Sequence, residues 1–217
     1  MNGSWCWIYR NYVLISCLLI LLYLLGAFLA PVFQYFDIDI PAKLTYAFYS
    51  TTCHQFAFRS WFLFGDQTFY PLEKAGLPMV SSYEEVSGNS TINIEVARQF
   101  IGDETIGYKV ALCQRDVAIF VGLFILAVGF ELSKRKWQPI PVILWIVLGV
   151  FPILLDGISQ FGGSTFPIFN FFPGRESNPA MRTLTGLFFG VTTGLYLFPK
   201  LEIMMKIVKN NHRCEES

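Results

Sequence analysis

From Tyr12 to Tyr35 the chain reads YVLISCLLILLYLLGAFLAPVFQY, without one Asp, Glu, Lys or Arg. A helix needs about 20 mostly apolar residues to cross about 30 Å of hydrocarbon, so this stretch is long enough to span a bilayer. Its apolar core is too long for a secretory signal, and Phe28 spoils a small-residue cleavage pattern ending at Ala30, so it reads as a retained helix. Three more runs follow. Val110 to Phe130 is charged only near its start, Ile140 to Phe161 holds one Asp, and Ala180 to Pro199 holds one Arg. With 53% hydrophobic and 15% charged residues, the chain has the balance of an integral membrane protein.

Orientation follows from the basic residues beside the runs. The sequence KRK at 134–136 joins the second run to the third, and Lys200, Lys206, Lys209 and Arg213 follow the last, whereas residues 65–108 are mostly acidic. The basic ends, and with them the C-terminus, are expected in the cytoplasm of a cell-membrane, multi-pass protein. Residues 65–108 and 162–179 then lie outside. The formal net charge is zero and no basic patch with interleaved aromatics lies outside the basic loops, which argues against nucleic acid as a partner and leaves the lipid bilayer.

The stretch CHQFAFRSWFLFG at 53–65 does not fit a simple span. A helix from about Leu44 to Phe64 would be re-entrant or interfacial, with Gln55 and Arg59 on one face and Cys53, Ala57, Ser60 and Phe64 on the neighbouring one. If it spanned instead, the N-terminus would lie outside and the 37–43 turn inside. The expectation is an all-α polytopic membrane protein, about four transmembrane helices plus one re-entrant or interfacial helix. It forms a single domain over residues 1–217, with 65–108 as an outer, lid-like insertion.

Polar residues converge on one end of these runs. Cys113, Arg115 and Asp116 open the second, Asp156 and Gln160 stand one turn apart late in the third, and Glu176 and Arg182 bracket the start of the fourth. Ionisable groups within spans cost a few kcal/mol each unless they are paired or face a cavity, so several at one depth indicate a site or a structural ion-pair network. Gly186, Gly190 and Gly194 recur every four residues beneath them, as in a close helix–helix seam.

The series CHQ-x3-RS, C-x-R, DG-x-x-Q and ES-x4-R-x-x-TG resembles a family of predicted multi-pass prokaryotic membrane proteins of unknown function, over about residues 44–195. The resemblance implies membrane location and carries its polar motifs onto Cys53, His54, Gln55, Arg59, Cys113, Arg115, Asp156, Gln160, Glu176 and Arg182, without implying an activity. The chain departs from the usual continuation C-x-R-C-T-G, with Asp116 where a second cysteine is expected.

Three readings stay open for Cys53 and Cys113: a disulfide, unconnected thiols, or a metal site with Asp116, whose ligand types fit a divalent ion such as zinc. A metal-assisted membrane enzyme would use Asp156, Glu176 or His54 as base or ligand. Arg59, Arg115 and Arg182, with Gln55 and Gln160, would bind an anionic, lipid-linked or amphiphilic substrate. A transporter or ion pathway and a non-catalytic scaffold or sensor are the alternatives. No H-E-x-x-H, G-x-S-x-G, Walker or G-x-G-x-x-G motif indicates a standard enzyme class.

Overall fold

The structure is a computed structural model that describes residues 3–88, 92–160 and 176–211. In chain order it runs α1 (Gly3–Tyr35), α2 (Asp39–Tyr49), a 3-10 turn (Ala57–Arg59), β1 (Ser60–Leu63), α3 (Tyr83–Ser87), α4 (Ile94–Gln99), β2 (Gly102–Asp103), β3 (Gly107–Cys113) and α5 (Gln114–Leu132). Then come α6 (Val142–Trp145), a π-helical stretch (Ile146–Val150), α7 (Phe151–Ser159) and α8 (Pro179–Asn211). Most of the turn expected at 162–179 lies outside the described residues.

Among the described residues, three helices are long and apolar enough to cross a membrane: Cys6–Tyr35 of α1, Val142–Ser159 through α6 and α7, and Pro179–Ile207 of α8. The second is continuous because the π stretch ends just before Pro152. A proline lacks an N–H and its ring collides with the carbonyl four residues earlier, and a widened turn relieves both problems. The α5 helix carries Arg115, Asp116 and Glu131 near its ends. Leu14, Leu18, Leu22, Leu25 and Leu29 of α1 are all exposed, as an outward face in lipid requires.

Contacts at the helix ends fix the order of the bundle. Near its start α1 meets α8, where the Tyr12 hydroxyl donates to Glu202 at 2.9 Å, and further along it the Tyr23 ring packs tilted against Phe120 of α5, centres 4.7 Å apart. The α5 and α8 helices lie side by side with little between their backbones. A Cβ on Gly186 would stand 2.6 Å from the Arg115 carbonyl oxygen, and one on Gly190 would collide with the carbonyl of Ile119. The glycine seam read from the sequence is therefore the α5–α8 contact.

Two expectations need correction. The chain is mostly helical but not all-α, since β1, β3 and β2 form a three-stranded antiparallel sheet in that order. The helix expected over Leu44–Phe64 is also absent. Its helical part is α2, ending at Tyr49, and the segment continues as loop, 3-10 turn and strand. The physical cause is the Ser50-Thr51-Thr52 triplet. Each hydroxyl bonds back to a carbonyl three residues earlier, on Ala47, Phe48 and Tyr49, competing with helix propagation. Ile40, Leu44 and Phe48 remain exposed one turn apart along α2, so this short helix keeps the apolar outer face of a membrane-contacting element.

The described residues between 60 and 113 form a second packing unit beside the bundle. Phe62, Tyr70, Leu72, Tyr83, Ala97 and Ile106 make its core, while Val110 to Leu112 of β3 pack with Leu24, Ala27 and Ala30 of α1. The β2–β3 turn is closed by Asp103, whose carboxylate accepts from the backbone of Thr105 and Ile106 at 2.8 and 2.9 Å. Gly107, at φ +81°, lies so close to the carbonyl of Leu63 that no side chain fits.

Candidate functional site

The strand register brings the two cysteines together. Ser60 of β1 pairs with Cys113 of β3, so the loop preceding β1 folds over the end of β3 and the start of α5. Within that loop the Cys53 amide donates to the carbonyl of Tyr49 at 2.9 Å. Gln55 adopts a left-handed backbone, φ +55°, while its side-chain amide donates to the Tyr46 carbonyl at 2.9 Å. That turn seats the Cys53 sulfur 3.3 Å from the Cys113 amide.

Cys113 is the N-cap of α5, its sulfur accepting from the Asp116 amide at 3.4 Å. Both cysteines are free thiols, which sets the disulfide reading aside for this structure. The Cys53 and Cys113 sulfurs and a carboxylate oxygen of Asp116 all lie within 4.8 Å of one another. A hydrogen bond with Cys53, followed by burial, pushes the Cys113 thiol well above its ordinary value, so with no bound cation this thiol stays protonated.

These ligand atoms edge a cavity of about 210 Å³ that is also lined by His54, Gln55, Arg59, Arg115, Gln160 and Arg182. His54 is exposed, its ring 5.4 Å from that of Phe56, and falls outside the three-ligand cluster. The two catalytic carboxylates expected from the sequence do not line the cavity; they stand behind its arginines. Asp156, buried on α7, pairs with Arg115, and Gln160 donates to its backbone carbonyl at 2.8 Å. Glu176 takes Arg59 on both oxygens, at 3.1 and 3.4 Å, and also pairs with Arg182. Arg182 in turn donates to the carbonyl of Phe58 at 3.1 Å, tying α8 to the 3-10 turn.

The guanidinium groups are not saturated. The Nε atoms of Arg115 and Arg182 are buried with no hydrogen-bond partner among the described residues. Buried N–H groups left unpaired are costly.

Residues 104–196 match the family described as Predicted membrane protein (DUF2085). The matched stretch takes in β3, α5, α6, α7 and the first half of α8, and so Cys113, Arg115, Asp116, Asp156, Gln160, Glu176 and Arg182, but it begins after Cys53. An uncharacterized protein of Methanocaldococcus jannaschii is 25% identical over 196 residues, covering 88% of this chain and 92% of its own length. No solved structure matches the chain.

Sequence reasoning missed Lys109. This β3 residue is 1% exposed, and its amine donates to the carbonyls of Gln55 and Arg98 at 2.8 and 2.7 Å, pinning the cysteine loop from behind. The available signal was one charge inside the otherwise apolar GYKVALC. Burial pushes its amine down to about 7. A neutral amine still has two N–H groups, enough for both carbonyls.

Proposed function

We propose that this membrane protein holds a divalent metal ion, zinc by ligand type, through Cys53, Cys113 and Asp116, beside an arginine-lined pocket for an anionic group. The observation that carries the proposal is the convergence of two thiols and a carboxylate, from a loop and a helix N-terminus, at the wall of a cavity lined by Arg59, Arg115 and Arg182. Tetrahedral zinc with sulfur at about 2.3 Å and oxygen at about 2.0–2.2 Å sets its ligands about 3.5–3.8 Å apart, so the cluster needs only slight contraction. Three protein ligands leave a fourth position open, the arrangement of catalytic rather than structural zinc sites. A bound ion there supplies Lewis acidity and an acidified water.

Within this reading the residues divide the work. Arg59, Arg115 and Arg182 hold the anionic head of an amphiphilic or lipid-linked substrate, with Gln55 and Gln160 beside them. Asp156 and Glu176 fix the directions of those guanidinium groups. His54, exposed at the cavity mouth, is the group free to exchange protons with the substrate. The α5 helix is the fourth span, and the ends bearing Lys134 to Lys136 and Lys206 face the cytoplasm. A transport path is less well supported, because the α5 and α8 backbones meet directly below the pocket.

Metal content of the purified full chain decides the matter. After incubation with zinc and removal of the excess, the wild type should retain about one zinc per chain, and Cys113→Ser and Asp116→Asn should each lose tenfold or more in affinity. Retention of zinc by the Cys53→Ser, Cys113→Ser double variant, or none by the wild type with both thiols titratable, would refute the metal site.

A further inference from the structure

At the opposite end of the bundle lies a larger cavity, about 1030 Å³, between the start of α1, the α5–α6 connection and the last third of α8. Five basic side chains line it against two acidic ones. The two carboxylates are already engaged. Glu131 takes the Arg135 guanidinium on both oxygens, at 2.8 and 3.1 Å, and Glu202 accepts the Tyr12 hydroxyl and faces Lys206 at 3.6 Å. Arg10, Lys134 and Lys136, all exposed, have no carboxylate partner among the described residues.

Arg135 builds the wall. It donates to the carbonyls of Tyr9 and Arg10 at 3.1 and 2.7 Å and lies 5.0 Å from the centre of the Tyr12 ring, which clamps the connection onto α1. Lys134 and Arg135 both adopt left-handed backbones, φ 56° and 59°, an uncommon pair for side chains with a Cβ. The turn thus turns Arg135 to structure while its neighbours Lys134 and Lys136 stay available at the cavity.

Depth identifies the occupant. From Arg182 to Glu202 along α8 is about 30 Å at 1.5 Å per residue, one hydrocarbon thickness, so this cavity opens at the second membrane boundary. Trp137, its ring tilted against that of Phe130 with centres 6.0 Å apart, is exposed beside it, as interfacial tryptophans are. Isolated lysines beside spans serve orientation; three unpaired cations around one cavity at headgroup depth form a receptor for phosphate.

We propose that this cavity binds the phosphate of an anionic phospholipid, with Arg10, Lys134 and Lys136 as its ligands. The site is independent of the cysteine pocket. The test uses the full chain in uncharged detergent, with lipid retention read by native mass spectrometry and thermal stability in parallel. Phosphatidylglycerol should be retained and raise the melting temperature, phosphatidylcholine should do neither, and each of Arg10→Gln, Lys134→Gln and Lys136→Gln should weaken retention about fivefold. Lys43→Gln, at the other end, and Cys113→Ser should leave it unchanged. Equal retention of both lipids, or undiminished retention in the triple variant, overturns the site. Equal stabilisation by glycerol phosphate overturns the lipid source in favour of a soluble phosphate.

Discussion

Asp156 and Arg115 show how single residues set the stability of the cysteine end. The carboxylate is buried on a spanning helix, and the guanidinium beside it is its counter-ion. Removing one partner of such a pair strands the other charge, at about 3–5 kcal/mol, whereas replacing both by apolar groups is often close to neutral. Asp156→Leu alone should therefore lower the melting temperature sharply, and adding Arg115→Met should restore most of the loss. Equal damage in single and double variants would show that the pair carries no coupling energy. Lys109 gives a pH-dependent counterpart. Its amine titrates near 7 when folded and near 10.4 when unfolded, so between those values the unfolded chain binds one more proton. Stability from this group thus rises with pH from about 7 to about 10, and its full cost is present below 7. The stability advantage of wild type over Lys109→Met should grow on going from pH 7 to pH 9; a flat difference would mean that the buried amine stays charged. The pairings of Asp156 and Glu176 were legible from charge and depth in the sequence. Lys109 was not, because its partners are backbone carbonyls, which leave no trace in side-chain spacing.

At the scale of elements, the glycine stripe on α8 and the polar opening of α5 were readable because a four-residue repeat and a helix start both leave local signals. The α5–α8 seam is tight enough to be tested by volume. Gly190→Leu forces a side chain into the Ile119 carbonyl and should cost about 1–3 kcal/mol or more by overpacking, whereas Gly76→Ala, where a Cβ meets nothing within 4 Å, carries only the strain of its left-handed backbone. A difference in thermal stability between the two variants in the opposite sense would dissolve the seam as a structural element. The misreading of residues 44–64 is equally physical. Apolar and aromatic residues there satisfy a helical period, but the hydroxyls of Ser50, Thr51 and Thr52 end α2, and the pairing of β1 with β3 claims the rest. That pairing is non-local, joining residues some fifty positions apart, and no short window along the chain contains both partners. The proximity of Cys53 and Cys113 was therefore legible from the shared depth of their segments, whereas the strand pairing that produces it was not.

For the molecule as a whole, two polar layers are joined by apolar packing. Cys53, Arg59, Cys113, Asp156 and Arg182 form one; Tyr12, Glu131, Arg135 and Glu202 form the other. Between them lie Val13, Ala127 and Phe130 in one buried cluster and the glycine seam. The connectivity crosses between layers four times. The α1 helix leaves the basic layer and α5 returns from the cysteine layer, then α6–α7 runs from the basic connection to Asp156, and α8 runs back from Arg182 to Glu202. Helices that carry their charges at two levels about 30 Å apart match a bilayer with its headgroups at those levels, and this match is what supports the proposal that α5 crosses with the others despite its three charges. On the proposed four-span reading, the two layers lie on opposite faces of the membrane. Cysteines introduced as Asp39→Cys, at the start of α2, and Gln138→Cys, in the α5–α6 connection, should react with an impermeant maleimide from opposite sides, position 39 in intact cells and position 138 only after permeabilisation. Labelling of both from one side would remove α5 as a span and with it the two-layer architecture, whereas reversed accessibility would keep the architecture and invert its orientation.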